Sequence, residues 1–548
     1  MRKMLLLLLF ALGGVALALT LGADEAGASV GLPLPKEQDS KPVIPVPDGD
    51  GITQTQQAQN SNETTQSAES EAKTKQVNVN APIAVLSFGS NNGDVEQRND
   101  ASTRSEASND NATAQQVDQD QNAQASGDRC CGHGSSGGSG VDQEQAGENS
   151  NETGQYASSE AKTEQTNVNL PVSVLSFGSN NTGGGHCGCE HGDGVKQDND
   201  AYTGSDATND NDTYQQVDQD QQASSWSLGG IAQSQSASNA NATEQRAESA
   251  AKTEQFNVNA PIAIASFGSN NGDVHQSNDA YTRSSASNDN DTYQKVDQDQ
   301  DATVRGDHCC KPHHGRSHKP DHHGKPDHHG KPCGCEHGGG SIGQQQRAEN
   351  SNATRQQASS EAKTEQTNVN VPISFFAFGA NNGDVRQTND AYTVSSASND
   401  NATGQWIGQG QQARTDASDC GCQPKDHGKH DGHGKWNHGD KWGKEKWDHG
   451  KDSKDEWCGC QDDRIAQRQW GANDNQTEQH AYSKSKTEQK NVNIPFRFFT
   501  FDKDCGCVKH GHGDGVRQSN DAYTRSSASN DNRTGQRIGQ AQYALIDR

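Results

Sequence analysis

Long stretches of the chain obey a parity rule. Between residues 235 and 259, Gln235, Ala237, Asn239, Asn241, Thr243, Gln245, Ala247, Ser249, Ala251, Thr253, Gln255, Asn257 and Asn259 fall on one parity, and the residues between them are miscellaneous. After Asn270-Asn271-Gly272-Asp273 a second arm repeats the rule with Gln276, Asn278, Ala280, Thr282, Ser284, Ala286, Asn288, Asn290, Thr292 and Gln294, while Asp279, Tyr281, Arg283, Asp289, Asp291, Lys295, Asp297 and Asp299 occupy the opposite parity. A period of two places the selected residues on one face of a β-strand, which a helix with its period of 3.6 does not do. The arms are therefore predicted to be extended.

Between the arms lies a short apolar element, and it marks five copies: Asn78-Val-Asn-Ala-Pro-Ile, Asn167-Val-Asn-Leu-Pro-Val, Asn257-Val-Asn-Ala-Pro-Ile, Asn368-Val-Asn-Val-Pro-Ile and Asn491-Val-Asn-Ile-Pro-Phe. Asn-x-Asn-x-Thr-x-Gln occurs in both arms, with the two occurrences 49 residues apart in copies one, three and four (Asn60 to Asn109, Asn239 to Asn288, Asn350 to Asn399). The repeats are bounded at 51–126, 141–227, 228–305, 341–418 and 462–548.

An arm of about 24 residues would reach roughly 80 Å as a single strand, well beyond the usual 3 to 10 residues, so the arms are expected to bend or turn. Two geometries fit. In a solenoid, coils stack at about 4.8 Å and identical Asn and Gln side chains form ladders, with Ala, Ser and Thr filling a thin interior. In a long hairpin, Asn-Asn-Gly-Asp supplies the tight turn. The predicted class is all-β: a repetitive β-solenoid or stacked long hairpins with Asn/Gln ladders, interrupted by disordered Cys/His-rich loops. The parity argues against the wholly disordered chain that composition alone would suggest.

The alternating arms, with Gln and Asn at fixed positions and Asn-x-Ala elements such as Asn99-Asp-Ala101 and Asn278-Asp-Ala280, resemble the repeats of secreted functional amyloids of the curlin type. The curlin Ser-x5-Gln and Gly-x-Gly-Asn spacings are not reproduced, and Asn-Val-Asn-x-Pro-Ile has no counterpart there. The resemblance implies a cross-β fibre in an extracellular matrix or surface coat.

Pro261-Ile-Ala-Ile-Ala-Ser-Phe267 and its equivalents are the only places where a continuous hydrophobic strand could be buried, as a small core or as a packing strip between repeats. A short, uncharged, β-prone run also serves as a contact between protomers.

Residues 1–23 read as a secretory signal peptide: Arg2 and Lys3, an apolar run from Met4 to about Leu21, and small residues Ala16 and Ala18 toward its end with Ala23 behind it. A Pro-rich linker, 24–50, follows. The expected location is extracellular or at the cell surface, with no membrane span after cleavage. The 548 residues are only 28% hydrophobic and carry a formal charge of −26, which forbids a large apolar core and supplies no basic field for nucleic acid.

Inserts of different composition interrupt the repeats at 127–140, 182–194, 306–340, 419–461 and 503–515, and they hold all fourteen cysteines in close pairs. Cys130-Cys131 and Cys309-Cys310 are adjacent; Cys187/Cys189, Cys333/Cys335, Cys420/Cys422, Cys458/Cys460 and Cys505/Cys507 are Cys-Gly-Cys. Histidines crowd the same segments: His186 and His191 bracket one pair, His308, His313, His314 and His337 flank two others, and His510 and His512 follow the last. Thiolates and imidazoles so close together can supply four ligands to Zn²⁺, Cu or Ni²⁺, although no cofactor is required. In an oxidising compartment the same cysteines would pair as disulfides between inserts, since cysteines one or two apart close on each other only with strain. The histidine tracts also titrate near pH 6.5. The segment from Trp436 to Trp457 interleaves tryptophans with lysines and aspartates, a composition suited to aromatic stacking on glycan or to a spacer.

Eleven Asn-x-Thr sequons are largely a by-product of the ladder motif, and the Asp-rich runs match no EF-hand or nonapeptide Ca²⁺ loop. No Gly-x-Ser-x-Gly, Walker or His-Glu-x-x-His motif occurs. The expectation is a non-enzymatic, secreted structural repeat protein of a matrix, sheath or coat. It would self-associate or bind surface components and be cross-linked through cysteine pairs. The alternatives are a metal-sequestering protein displaying Cys/His loops, and an ice- or glycan-binding solenoid with the Thr- and Asn-bearing parity outward.

Overall fold

In the computed structural model, the described residues are 51–86, 94–125, 140–175, 177, 194–226, 229–265, 273–305, 340–376, 384–416, 464–499 and 515–547. They form fifteen strands. A first set of long arms comprises β1 (Ile52–Asn80), β4 (Val141–Asn169), β7 (Ile231–Asn259), β10 (Ser341–Asn370) and β13 (Arg464–Asn493). A second set comprises β3 (Val95–Ala125), β6 (Val195–Ser225), β9 (Val274–Arg305), β12 (Val385–Asp416) and β15 (Val516–Asp547). Between the arms lie the three-residue strands β2 (Ile83–Val85), β5 (Val172–Val174), β8 (Ile262–Ile264), β11 (Ile373–Phe375) and β14 (Phe496–Phe498).

Each repeat is one rung of a solenoid, and all pairing between strands is parallel and runs from rung to rung. The three sheets have the orders β1-β4-β7-β10-β13, β2-β5-β8-β11-β14 and β3-β6-β9-β12-β15. The two arms of one rung face each other through side chains, so the antiparallel backbone pairing of a long hairpin is replaced by stacking. Register is in step throughout: Asn60 lies beside Asn149, then Asn239, Asn350 and Asn473.

The arms do not bend as their length suggested. They run unbroken for 29 to 32 residues, with inward and outward positions alternating to the end. Gln, Asn, Ser and Ala have modest strand propensity, and strand formation here is imposed by neighbours on both sides. A long strand whose every inward residue meets its own likeness above and below has no position at which to turn.

The turn comes instead at one place per rung. Leu86, Leu175, Ala265, Phe376 and Phe499 all adopt left-handed backbone with φ between 51° and 55°, immediately after the short strand. Non-glycine residues adopt this conformation at a cost of roughly 1 kcal/mol each. It is held in place by the ladder, since Leu175 N–H donates to Ile264 C=O at 2.9 Å and Ala265 N–H to Phe375 C=O at 2.8 Å.

The short strand does not bury a hydrophobic run. Its middle, small residue points inward, as with Ser173, Ala263 and Ser374, while Ile83 and Val85 of the first rung and Phe496 and Phe498 of the last are exposed. The apolar element is thus a packing strip between rungs, with Phe375 stacked on Phe498 at 4.9 Å and Phe376 on Phe499 at 5.1 Å.

Candidate functional site

The selected parity is the interior. Gln, Asn, Thr, Ser and Ala of the middle rungs are buried, and apart from the Ser225 and Thr415 hydroxyls their polar atoms are satisfied by bonds along the stack and across the interior. Asn199 Nδ2 donates to Asn278 Oδ1 of the next rung at 2.9 Å, and Asn278 donates in turn to Asn389 at 2.9 Å. The glutamines run the other way: Gln276 Nε2 donates back to Gln197 Oε1 at 2.8 Å, and Gln387 to Gln276 at 2.7 Å. The second amide hydrogen of a glutamine reaches across to a backbone carbonyl of the facing sheet, as Gln255 does to Asp279 at 2.7 Å. Each such bond contributes a net ~1 kcal/mol, and leaving one of these buried groups unpaired costs more.

Apolar contacts fill the gaps between ladders. Val117, Val217, Val296 and Ile407 project from the second sheet into a column that the first sheet lines with Ala58, Ala237 and Ala348. Gly147 occupies the same column, and a Cβ there would stand 2.7 Å from Val217 Cγ1.

This burial removes the premise of an ice- or glycan-binding solenoid, because the Thr- and Asn-bearing parity faces inward. What faces outward on the second sheet is a set of charged and aromatic columns. Asp100, Asp200, Asp279, Asp390 and Asp521 form one, and Asp110, Asp210, Asp289, Asp400 and Asp531 another. Partial burial under neighbouring columns, then the charges of Asp291, Asp210 and Asp400, push the Asp289 carboxyl up to about 6. Burial followed by Asp200 and Asp390 raises Asp279 in the same direction. Tyr202, Tyr281, Tyr392 and Tyr523 form an aromatic column, with ring centroids 5.3, 4.9 and 4.7 Å apart. The sequence placed these residues on one parity, but only the register brings them into contact.

The two arms of a rung are staggered along the stack. Asn78 of β1 donates to Arg98 C=O of β3 in its own rung, and Gln97 of β3 donates onward to Val168 C=O of β4 in the next. The interior therefore runs β1, β3, β4, β6 and so on to β15. Among the described residues nothing covers the edge of β1 or β15, and almost every residue of β15 is exposed.

The sequence-predicted ligands His186, Cys187, Cys189, His191, His308, Cys309, Cys310, His313, His314, Cys333, Cys335, His337, Cys420, Cys422, Cys458, Cys460, Cys505, Cys507, His510 and His512 lie outside the described residues, as do Cys130, Cys131, the predicted signal peptide and the Trp436 to Trp457 segment. The structure does locate the residues that flank them. Residues 126–139, 227–228, 306–339 and 417–463 join the end of a second arm to the start of the next first arm, whereas 87–93, 178–193, 266–272, 377–383 and 500–514 join the two arms of a rung. Ala125, Val141, Ala223, Ile231, Val304 and Ile342 pack in a single cluster, which gathers the flanks of the first group along one side of the stack, at the same end of every arm. No protein-family model, curated protein or solved structure matches this chain.

Proposed function

We propose that the protein is a secreted structural scaffold of an extracellular matrix, sheath or surface coat, which associates into β fibres and carries its cross-linking chemistry in the Cys/His inserts. One observation carries this reading: among the described residues, five rungs stack in register through ladders left open at both ends. Here the interior has the same composition at the edge strands as at the centre, so the stack is extensible in principle.

The inserts are additional to the fold. Trp226 ends the second rung and Gly230 precedes the third, so a rung connection is complete with a handful of residues. The longer segments at 126–139, 306–339 and 417–463 exceed what the step between rungs requires, and because their flanks lie along one side of the stack, their cysteine pairs suit disulfides between rungs or copies. That same disposition favours the second reading, in which the rungs hold metal-binding Cys/His loops in a row.

Far-UV circular dichroism and fibre diffraction on the full chain, and on a variant lacking the inserts, test the scaffold reading. A β spectrum and a reflection near 4.8 Å are expected in both. Their absence from both sinks it. Titration of the reduced chain with Zn²⁺ tests the second reading, which requires stoichiometric binding that the insert-free variant lacks.

A further inference from the structure

The two open rungs are not alike in charge. The strands of the first rung carry nine carboxylates against four Lys and Arg, while those of the last carry ten Lys and Arg against six carboxylates. The second rung is the most acidic, with thirteen carboxylates against two cations, and the excess declines steadily from there to the last rung. The stack is therefore an electrostatic dipole with an acidic start and a basic finish.

The ladders are polar in the same sense. The asparagine ladder starts at Asn60, which donates to Asn149, and ends at Asn473, which accepts from Asn350. One more rung would receive the remaining amide hydrogen of Asn473. The glutamine ladder runs oppositely: Gln54 accepts from Gln143, and Gln467 donates to Gln344. A further rung beyond Gln467 would donate to its Oε1. The last rung thus presents Asn donors and Gln acceptors, and the first rung presents the complementary set at the same positions.

Apolar surface agrees. Ile538 of the last rung is 45% exposed, whereas Ile407, its neighbour one rung below, is fully buried at 0%. In continued register Ile538 would be followed by Val117.

We infer that the protein polymerises head to tail, with β13, β14 and β15 of one copy receiving β1, β2 and β3 of a second copy in the register that already relates successive rungs. This places Glu96 against Arg517 and Glu71 against Lys484, and sets Asp118 diagonal to Arg537. The aspartate columns through Asp100 and Asp110 continue as they do between rungs of one copy. Arg104 against Arg525 is a like-charged pair, as Arg386 against Arg517 already is between the last two rungs of one copy. It is outweighed by the opposite net charges of the two faces. The inference rests on the scaffold reading and adds polarity, register and partner to it.

Two charge-reversed chains test it: Arg517→Glu with Arg537→Glu at the last rung, and Glu96→Arg with Asp118→Arg at the first. All four positions face outward, and circular dichroism verifies that each variant keeps its β spectrum. In low salt each variant alone should elongate at least ~10-fold more slowly than the unaltered chain, and an equimolar mixture should recover the rate, because each reversed face then finds its complement. Electron microscopy of the mixture should show fibres in which the two variants alternate. Variants that elongate alone at the unaltered rate, or fibres of the unaltered chain in which copies meet side by side or last rung to last rung, overturn this inference and leave the fibre reading standing. An unaltered chain that keeps its β spectrum but stays monomeric overturns both.

Discussion

The hydroxyls of Thr253 and Thr282 lie 2.7 Å apart across the interior, joining the first long sheet to the second. They are the central link of a zigzag that passes through Thr74, Thr103, Thr163, Thr203, Thr253, Thr282, Thr364, Thr393, Thr487 and Thr524 at 2.7 to 2.9 Å per step. A hydroxyl both donates and accepts, so one atom per residue satisfies both neighbours in a space too thin for an amide.

Replacing Thr253 with Val keeps the shape and removes the link. Thr203 then loses its donor and Thr282 one of its two hydroxyl partners, in a fully buried site, so the urea midpoint should fall by the equivalent of about 1–3 kcal/mol. Thr524→Val, at the exposed end of the same chain, should cost under ~0.5 kcal/mol. Equal losses at the two positions would show that the hydroxyl chain contributes nothing beyond general packing.

Stability should rise in mild acid. Asp289 is pushed up to about 6 from an ordinary 3.8, and Asp279, Asp291, Asp297 and Asp299 move in the same direction, each chiefly through burial. For an acid whose folded pKa exceeds its unfolded one, the stabilising contribution is full below the unfolded pKa, 3.8 here, and is lost as pH rises through the folded value, about 6. The urea midpoint should therefore be higher at about pH 5 than at about pH 7.5, and Asp289→Asn should raise the midpoint at the higher pH and narrow the gap. A midpoint that falls on acidification would contradict the repulsion between stacked carboxylates.

Two glycines separate inward from outward positions. A Cβ on Gly147 would stand 2.7 Å from Val217 Cγ1 and 3.2 Å from Val117 Cγ1, whereas one on Gly154 meets only Thr65 Oγ1 at 3.9 Å. Gly147→Ala should destabilise by about 1–3 kcal/mol through overpacking. Gly154→Ala should be neutral or gain about 0.5 kcal/mol, since it relieves the entropy cost of glycine in a strand. Thermal melts of the two variants decide, and the ordering Gly154 worse than Gly147 would mean that the inward face had been misassigned.

Much of this fold was legible in the parity of the chain. Gln235, Asn239 and Asn241 recur with their counterparts at fixed spacing, and that repetition alone implies strands, ladders and a thin interior. What parity does not carry is which face is buried, because Asn and Thr serve either side equally well; the arrangement of Val217 over Gly147 settles it only once sheets face each other. Nor could residue type mark the corner, where Leu86, Leu175, Ala265, Phe376 and Phe499 share a left-handed backbone and no chemistry. The arms' continuity was missed because the usual limit on strand length reflects a lack of partners, and here every residue has one. The charge difference between first and last rungs was present in the sequence, but it acquires meaning only when those rungs are seen to be the open edges.

The insert at 306–339 offers the cleanest separation of scaffold from chemistry. Its flanks already touch: a Cβ on Gly340 would lie 2.6 Å from Val304 Cγ1, so the solenoid closes there whatever the insert does. The second and third rungs are joined between Trp226 and Gly230 by a far shorter link, which shows how little chain the step requires. Shortening a connection of roughly thirty residues to about four removes three doublings of loop length, and closure entropy then favours the folded state by up to ~2 kcal/mol. Replacing 306–339 with the short connection should leave the β spectrum intact and the urea midpoint equal or higher. It should also abolish any metal uptake or disulfide formation that depends on Cys309, Cys310, Cys333 and Cys335. A lower midpoint with loss of β signal would mean that the insert is part of the scaffold, and would return the cysteine pairs from a displayed function to a folding one.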